Sequence, residues 1–443
     1  MTYFMLNPEC YLVKGAKRGA VYNLHTGQIF SIDPELTVFL DACEHRKPFE
    51  EALKLVSSLP DEVKNVLNKL LKWRLGRFYE TEKVAPIIEK LKPPMTKRQR
   101  REFNIPPQLG HLFIELTGKC NLNCIFCDGK SNYVRRMLGC KRWPAGKATK
   151  RGLELKDWIK IVGDAQKLGC RSLQFVGGEP LLLWDILFEL IPLAKHIGYE
   201  HIRLDTNGVL LDDRKIRFLA DQGVILLLQI LSFKQEVHDK ITRVGGSFEK
   251  LIHNLQKLRV NDAKYAFVLP IIRQNWDHWG ETVEWFQSYD PEWIHHEILQ
   301  PCRTENRDNV TDRLTHKLYY TTEVEKLQEK IEPWLFFQRC EGHPCWEGKL
   351  AVTCDGDVLP CPKAREEIIG DIHEKGLREI FRDEDMLRYW DMTKDNVEVC
   401  KDCEYRYACF DCRPFEKSAS GKLKGKSPYC TYDPLKGKWA AIY

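Results

Sequence analysis

The chain has 443 residues, 43% hydrophobic and 30% charged, the balance of a globular protein long enough for about three domains. Its formal net charge of +5 is too small to announce a nucleic-acid or membrane partner. No apolar run reaches the ~18 residues of a membrane helix, and Met1–Cys10 lacks the features of a signal peptide, so a cytoplasmic location is expected.

Residues 1–91 read as a small domain. Short strands are expected at YLV, AVYNL and QIFSI, with a turn at Thr26-Gly27. Helical patterns follow at Glu35–Cys43, Phe49–Val56 and Asp61–Leu71, and FYE reads as a closing strand. Residues 92–108 read as a linker, because Pro93-Pro94 and Pro106-Pro107 bracket the basic run KRQRR, taken as a solvated connector. From 109 to 300 the chain alternates. Apolar strands at HLFIEL, SLQFV, HIRLD, VILLLQIL, YAFVLPII and WIHHEIL are separated by helical patterns such as Lys156–Leu168, Trp184–Ile197 and Trp279–Tyr289. Six such units predict an α/β fold, an open partial (β/α)6 barrel with its active loops at the carboxyl ends of the strands. Residues 301–338 read as a bridge, and 339–443 as a loop-rich, cysteine-rich domain.

Seventeen cysteines in a reducing compartment need an explanation other than disulfides. Cys10, Cys43, Cys140, Cys170, Cys302 and Cys354 are scattered and read as small buried hydrophobes. The other eleven form two sets with metal-ligand spacing. Cys120, Cys124 and Cys127 lie in TGKCNLNCIFCDG, directly after the first barrel strand. Three thiolates with no fourth nearby suit a four-iron cluster with one open iron, although zinc with a distant fourth ligand has the same signature. The second strand ends in Gly177-Gly178-Glu179-Pro180, where the glycines allow close approach of a ligand and Glu179 can accept from an ammonium group. The third ends in Asp205-Thr206-Asn207-Gly208.

CNLNCIFC resembles the CxxxCxxC loop of the radical SAM superfamily, and GGEP resembles its GGE motif. The resemblance implies that Cys120, Cys124 and Cys127 hold a [4Fe-4S] cluster whose open iron takes the aminoacyl part of S-adenosylmethionine (SAM). It further implies that Glu179, beside Gly177 and Gly178, holds the amino group, and that Phe126 lies against the adenine. Ser232, late in strand four, and Arg243 resemble the ribose and carboxylate contacts.

The second cysteine set runs from Cys340 to Cys430 and includes a C-x2-C-x5-C-x2-C block; four such cysteines could hold zinc, and eight could serve two clusters. Cys345, Gly356 and Cys361, followed by the block and a last cysteine, resemble the SPASM domain of radical SAM peptide-modifying enzymes. That resemblance implies one auxiliary cluster on Cys340, Cys345, Cys361 and Cys412 and another on Cys400, Cys403, Cys409 and Cys430, three [4Fe-4S] clusters in all. The front domain resembles the winged-helix-like leader-recognition domain of ribosomal-peptide biosynthesis, which captures a peptide by strand addition. Lys14, Lys17 and Arg18 are the expected partners of an acidic leader, or simply an edge kept soluble by charge.

Together these readings point to a maturase that installs a thioether, carbon–carbon or ether crosslink in a precursor peptide with a leader. A flavodoxin or ferredoxin would be its electron donor. An anaerobic sulfatase-type maturase is the alternative, disfavoured by the front domain and by Pro362 and Lys363, which stand where that group resembles itself in an acidic residue.

Overall fold

The computed structural model describes residues 1–57, 60–80, 90–93, 95–127, 151–298, 331–409, 412–427 and 430–439. Cys140, Cys302 and most of the expected bridge lie outside the described residues.

The front unit holds β1 (Tyr3–Leu6), β2 (Cys10–Lys14), β3 (Gly19–Asn23), β4 (Ile29–Ile32), α1 (Pro34–Glu44), α2 (Phe49–Leu53), α3 (Pro60–Lys72) and β5 (Gly76–Tyr79). β2, β3 and β4 form an antiparallel sheet with β4 at its edge. Gly27, at φ +76°, makes the turn between β3 and β4. Asp33 caps α1 by accepting from Leu36 N, with Pro34 at the first turn. The core joins Phe4, Leu6, Val21, Phe39, Leu40, Leu67 and Leu70. Strand β1, which pairs with β5, is absent from the sequence reading: YFML is buried throughout and carries no alternation.

The basic run is not a free connector. Lys97–Glu102 form the helix α4, closed by a capping box between Thr96 and Gln99. Lys97 reaches Glu347 at 2.9 Å and Asp391 at 3.4 Å, and Arg101 also pairs with Asp391, so the segment is pinned to the C-terminal region.

The central sheet contains β6 (His111–Thr117), β7 (Ser172–Gly177), β8 (His201–Thr206), β9 (Ile225–Gln229), β10 (Tyr265–Ile271) and β11 (Ile294–Ile298), parallel and side by side in chain order. Helices α5 (Leu155–Lys167), α6 (Trp184–His196), α7 (Asp213–Asp221), α8 (Gln235–Thr242), α9 (Ser247–Val260) and α10 (Trp279–Gln287) connect them. Side chains alternate along each strand. Leu112, Ile114, Leu173, Phe175, Leu204, Leu226 and Phe267 pack into the main core, while Glu115, Gln174, Asp205 and Gln229 take the alternate positions and are buried. The opposite face of the sheet is thus mixed, these polar groups standing on the same face as the apolar cluster Leu227, Ala266 and Val268.

The sheet does not stop at six strands. β12 (Lys349–Val352) runs parallel beside β6, and β13 (Asp357–Leu359) and β14 (Gly370–Asp371) follow antiparallel, making nine among the described residues. The region read as loops therefore adds a hairpin to the barrel edge; KLAV and DVL are too short to stand out as strands. Among the described residues no helix is long and apolar enough to cross a membrane.

Candidate active site

The Cys120–Cys127 loop leaves the carboxyl end of β6 and is tied down by α8. Asn123 N donates to Thr242 O at 3.1 Å and Ile125 N to Ile241 O at 2.9 Å. These carbonyls belong to the last turn of α8, where a helix has acceptors to spare. Leu122, Cys124 and Phe126 are buried with Leu231, Ile241 and Ile272, and Cys120 and Cys127 pack against them half-buried. Leu122 N lies 3.4 Å from Cys120 Sγ, and Asn207 Nδ2 lies 3.9 Å from it. Donors aimed at sulfur favour a thiolate, the form that binds metal.

The glycines of GGEP meet this loop. A Cβ on Gly177 would stand 2.4 Å from Thr117 O, and one on Gly178 only 1.9 Å from Lys119 O. Gly177 also has φ +131°. Gly178 N donates to Thr117 O at 2.6 Å and Glu179 N to Lys119 O at 2.8 Å. The neighbour that demands these glycines is the backbone entering the cysteine loop, where the sequence alone suggests a ligand.

Glu179 is fully buried. It accepts from Leu181 N at 3.2 Å, from the Thr206 hydroxyl at 2.8 Å and from Asn207 N at 2.9 Å. Asn207 Nδ2 donates in turn to Asn121 Oδ1 at 2.8 Å. The Thr206-Asn207 end of β8 thus fixes Glu179 and ties it to the cysteine loop. The carboxylate is thus fixed as a hydrogen-bond acceptor, the role that recognition of an ammonium group would ask of it.

The other SAM-contact expectations are placed as follows. Phe126 is 1% exposed, its ring enclosed by the apolar group beside the cysteines. Ser232 lies beyond the end of β9, not within it, because the strand stops at Gln229. Its buried hydroxyl is 2.8 Å from His278 Nε2 and accepts from Lys234 N at 3.0 Å. Burial, with the Lys234 ammonium second, holds His278 below its ordinary pKa. The sequence reading missed His278, a lone histidine ahead of α10. Arg243 is exposed and ends α8 in a left-handed conformation, φ +57°. The segment around it is organised by Asp239, which accepts from Gly246 N at 2.8 Å, Ser247 Oγ at 2.8 Å and Phe248 N at 2.9 Å and so caps α9.

Among the C-terminal cysteines, Cys361 is pushed up to about 12 by burial and by the neighbouring Cys345 and Cys412. Cys400 is raised to about 11, and Cys403 is also raised; burial dominates in both, and Cys409 and Cys430 add to it. Cys361 thus feels Cys345 and Cys412, and Cys400 and Cys403 both feel Cys409 and Cys430. Cys340 packs instead with Tyr11, Tyr22, Phe336 and Tyr407, and Tyr22 feels it together with Cys403 and Cys409. Cys10, Cys43 and Cys170 are buried, as expected, and burial raises each of them. Cys354 is half-buried beside Glu115, Asp355 and Arg365. Among the described residues no three His, Cys, Asp or Glu side chains are placed to hold one metal ion. Sulfur-only donors in groups of three and four are the donor chemistry of iron–sulfur clusters.

Residues 114–286 match the radical SAM superfamily, and residues 340–404 match SPASM, an iron–sulfur cluster-binding domain. The AdoMet-dependent heme synthase of Methanosarcina barkeri is 27% identical over 351 residues, 73% of this chain and 96% of that protein. The structure of anSMEcpe with bound AdoMet matches at TM-score 0.56 and 17% identity, over 75% of this chain and 92% of that one. Streptococcus suis SuiB bound to its precursor peptide SuiA matches at TM-score 0.57 and 16% identity, over 97% of this chain and all (100%) of that one. At these identities the structural likeness is one of fold. The family domains bring iron–sulfur clusters and SAM binding with them, and the chain is an enzyme of the radical SAM superfamily that carries a SPASM domain.

Proposed function

We propose that the chain is a peptide maturase that installs a crosslink in a ribosomally made precursor peptide. The observation that carries this reading is the front unit. The fold of SuiB, in a structure with a bound precursor peptide, extends over 97% of this chain, whereas that of anSMEcpe covers 75%. Edge strand β4 carries half-buried Phe30, which stacks at 5.0 Å on Trp73, and Trp73 is 48% exposed. Lys69, Lys72 and Arg77 are exposed nearby in sequence, at the end of α3 and in β5. An edge, aromatic rings and cations fit an extended peptide with acidic and apolar residues. Lys14, Lys17 and Arg18 do not contribute there: Lys14 pairs with Asp41 at 2.9 Å, and the β2–β3 turn faces the C-terminal region.

In this reading Cys120, Cys124 and Cys127 hold the catalytic [4Fe-4S] cluster. Cys345, Cys361 and Cys412 hold the first auxiliary cluster, with Cys340 added on the family pattern alone because it packs among Tyr11, Tyr22 and Tyr407, and Cys400, Cys403, Cys409 and Cys430 hold the second. When bound, the reduced catalytic cluster and SAM supply a 5′-deoxyadenosyl radical that takes hydrogen from the substrate. Glu179 orients the amino group of SAM through its fixed carboxylate. Phe126 lines the adenine side, Ser232 with His278 the ribose side, and Arg243 the carboxylate side. Buried Leu122, Leu231 and Ile272 keep water from the site.

A second reading has one observation in its favour. The 27%-identical relative is a heme synthase, so a tetrapyrrole is the competing substrate. That alignment leaves about a quarter of this chain unmatched. The test is anaerobic incubation with SAM and the short peptide encoded beside the gene, followed by mass spectrometry. Loss of two hydrogens within the peptide supports the maturase. An unchanged peptide together with turnover of an added porphyrin would replace that reading with the second.

A further inference from the structure

The β2–β3 turn and the C-terminal region build one surface. Ala16 N donates to Asp402 O at 2.7 Å, and Arg406 Nη1 donates to Lys14 O at 2.8 Å. A Cβ on Gly437 would stand 2.8 Å from Arg18 Cγ and 3.3 Å from Lys17 Cγ, so Lys17 and Arg18 adjoin the strand pair Tyr432–Asp433 and Lys438–Trp439. Glu398 N donates to Lys424 O at 2.8 Å, which brings Lys424 beside the start of the Cys400–Cys412 block. Lys17, Lys401, Lys424, Lys436 and Lys438 are all exposed. Residues 413–443 carry seven basic and two acidic side chains, an excess equal to the +5 of the whole chain.

Apolar side chains surface among these cations. Val399, Leu435 and Trp439 are 38%, 66% and 38% exposed. An apolar centre with a charged rim is the anatomy of a protein docking face. Beneath it, Trp439 lies 4.8 Å from Tyr432 and 6.5 Å from Tyr405, ring to ring, and Tyr405 sits between Cys403 and Cys409 in sequence. The route from the surface to the second cysteine group is two rings long.

We propose that this basic face, centred on Trp439 and rimmed by Lys17, Lys401, Lys424, Lys436 and Lys438, docks an acidic one-electron carrier protein of the flavodoxin or ferredoxin class. The proposal rests on reading Cys400, Cys403, Cys409 and Cys430 as cluster ligands. One electron passes from the reduced carrier to the cluster; the carrier is oxidised by one electron, the cluster is reduced by one, and no bond or proton moves. Opposite charge speeds encounter and fixes orientation. Lys422 and Lys436 pair with Glu398 and Asp433 at 3.0 and 3.6 Å. These carboxylates interrupt the face, which suits a partner with discrete carboxylates better than the continuous charge of a nucleic acid.

The test compares the wild-type holoenzyme with the double variant Lys424→Glu/Lys438→Glu, using a purified acidic flavodoxin as the probe. Binding is measured at low and high salt, carbodiimide crosslinks are mapped by mass spectrometry, and SAM cleavage is followed with flavodoxin or dithionite as reductant. We expect crosslinks at Lys17, Lys424, Lys436 or Lys438, and binding weakened about tenfold in the variant at low salt. Cleavage with flavodoxin should fall while cleavage with dithionite is kept. Equal flavodoxin affinity in the two proteins, or crosslinks confined to another face, overturns the proposal. A variant that loses affinity for the precursor peptide but not for flavodoxin assigns the face to the peptide and also overturns it. Iron analysis keeps the two readings apart. If Cys400→Ala/Cys403→Ala removes no iron, the cluster reading fails whatever flavodoxin does.

Discussion

Cys120 faces a polar frame as well as the apolar one it shares with Cys124 and Cys127. Asn207 touches both Cys120 and Asn121, and Glu179 is held by the same strand end. Replacing all three cysteines with alanine should abolish SAM cleavage and remove about four irons per chain, leaving the auxiliary iron in place. Cleavage that survives would sink the assignment. Gly178 gives a sharper local test, because its Cβ would stand 1.9 Å from Lys119 O. Gly178→Ala must push the loop away, so iron at the first site and SAM cleavage should both fall. Gly163, inside α5 with nothing within 4 Å of a Cβ, is the control: Gly163→Ala should raise stability by about 0.5–1 kcal/mol in a denaturant melt. His238 supplies a pH signature. It is buried on α8, and burial lowers its pKa to about 4. The unfolded side chain binds a proton near its ordinary value of about 6.5, so below that pH the unfolded state holds more protons. Stability should therefore fall as pH drops from 6.5 toward 4, by about 1.4 kcal/mol per unit from this group. His238→Leu should show a shallower loss of melting temperature across that window; equal slopes would count against the buried neutral histidine.

At the scale of elements, the sheet owes its extra width to β12, which the parallel register Lys349↔His111 to Val352↔Ile114 fixes to β6. Gly348 O accepts from both Gly110 N and His111 N, at 2.7 and 2.9 Å, and closes the junction. Across that junction Glu115 of β6 pairs with Arg365, and both side chains are almost fully buried. Arg365 follows Cys361 by four residues, so this pair couples the catalytic strand to the first auxiliary cysteine group. Removing one partner of a buried pair costs about 3–5 kcal/mol, more than the pair itself contributes, because the other charge stays behind. Arg365→Met should destabilise by that amount, and Glu115→Gln/Arg365→Met should recover part of it. A denaturant-melt cycle with no coupling would refute the clamp.

At the scale of the molecule, the front unit, proposed above to face the peptide, is also a wall of the C-terminal region. Tyr22 donates to Glu404 O at 2.9 Å, and Val13, Ala20, Tyr22 and Leu24 share a core with Phe336, Tyr405 and Tyr407. Deleting residues 1–91 would bare this core beside Cys403 and Cys409, so iron should be lost along with peptide turnover. Trp73→Ala is the cleaner variant. It should cut peptide turnover while leaving iron content and uncoupled SAM cleavage near wild type; unchanged turnover would refute the leader groove. By itself the sequence determined the six-unit alternation, the cysteine triad after the first strand and GGEP after the second. Those signals are local: strand periodicity and ligand spacing are written within a few residues of one another. Only the tertiary structure decided that KLAV widens the sheet, that KRQRR is a clamped helix, that His278 stands against Ser232, and that Lys17 and Arg18 belong with Lys436 and Lys438. Each of these joins side chains tens to hundreds of residues apart, and their encounter depends on how the sheet and the front unit pack, which no local pattern encodes.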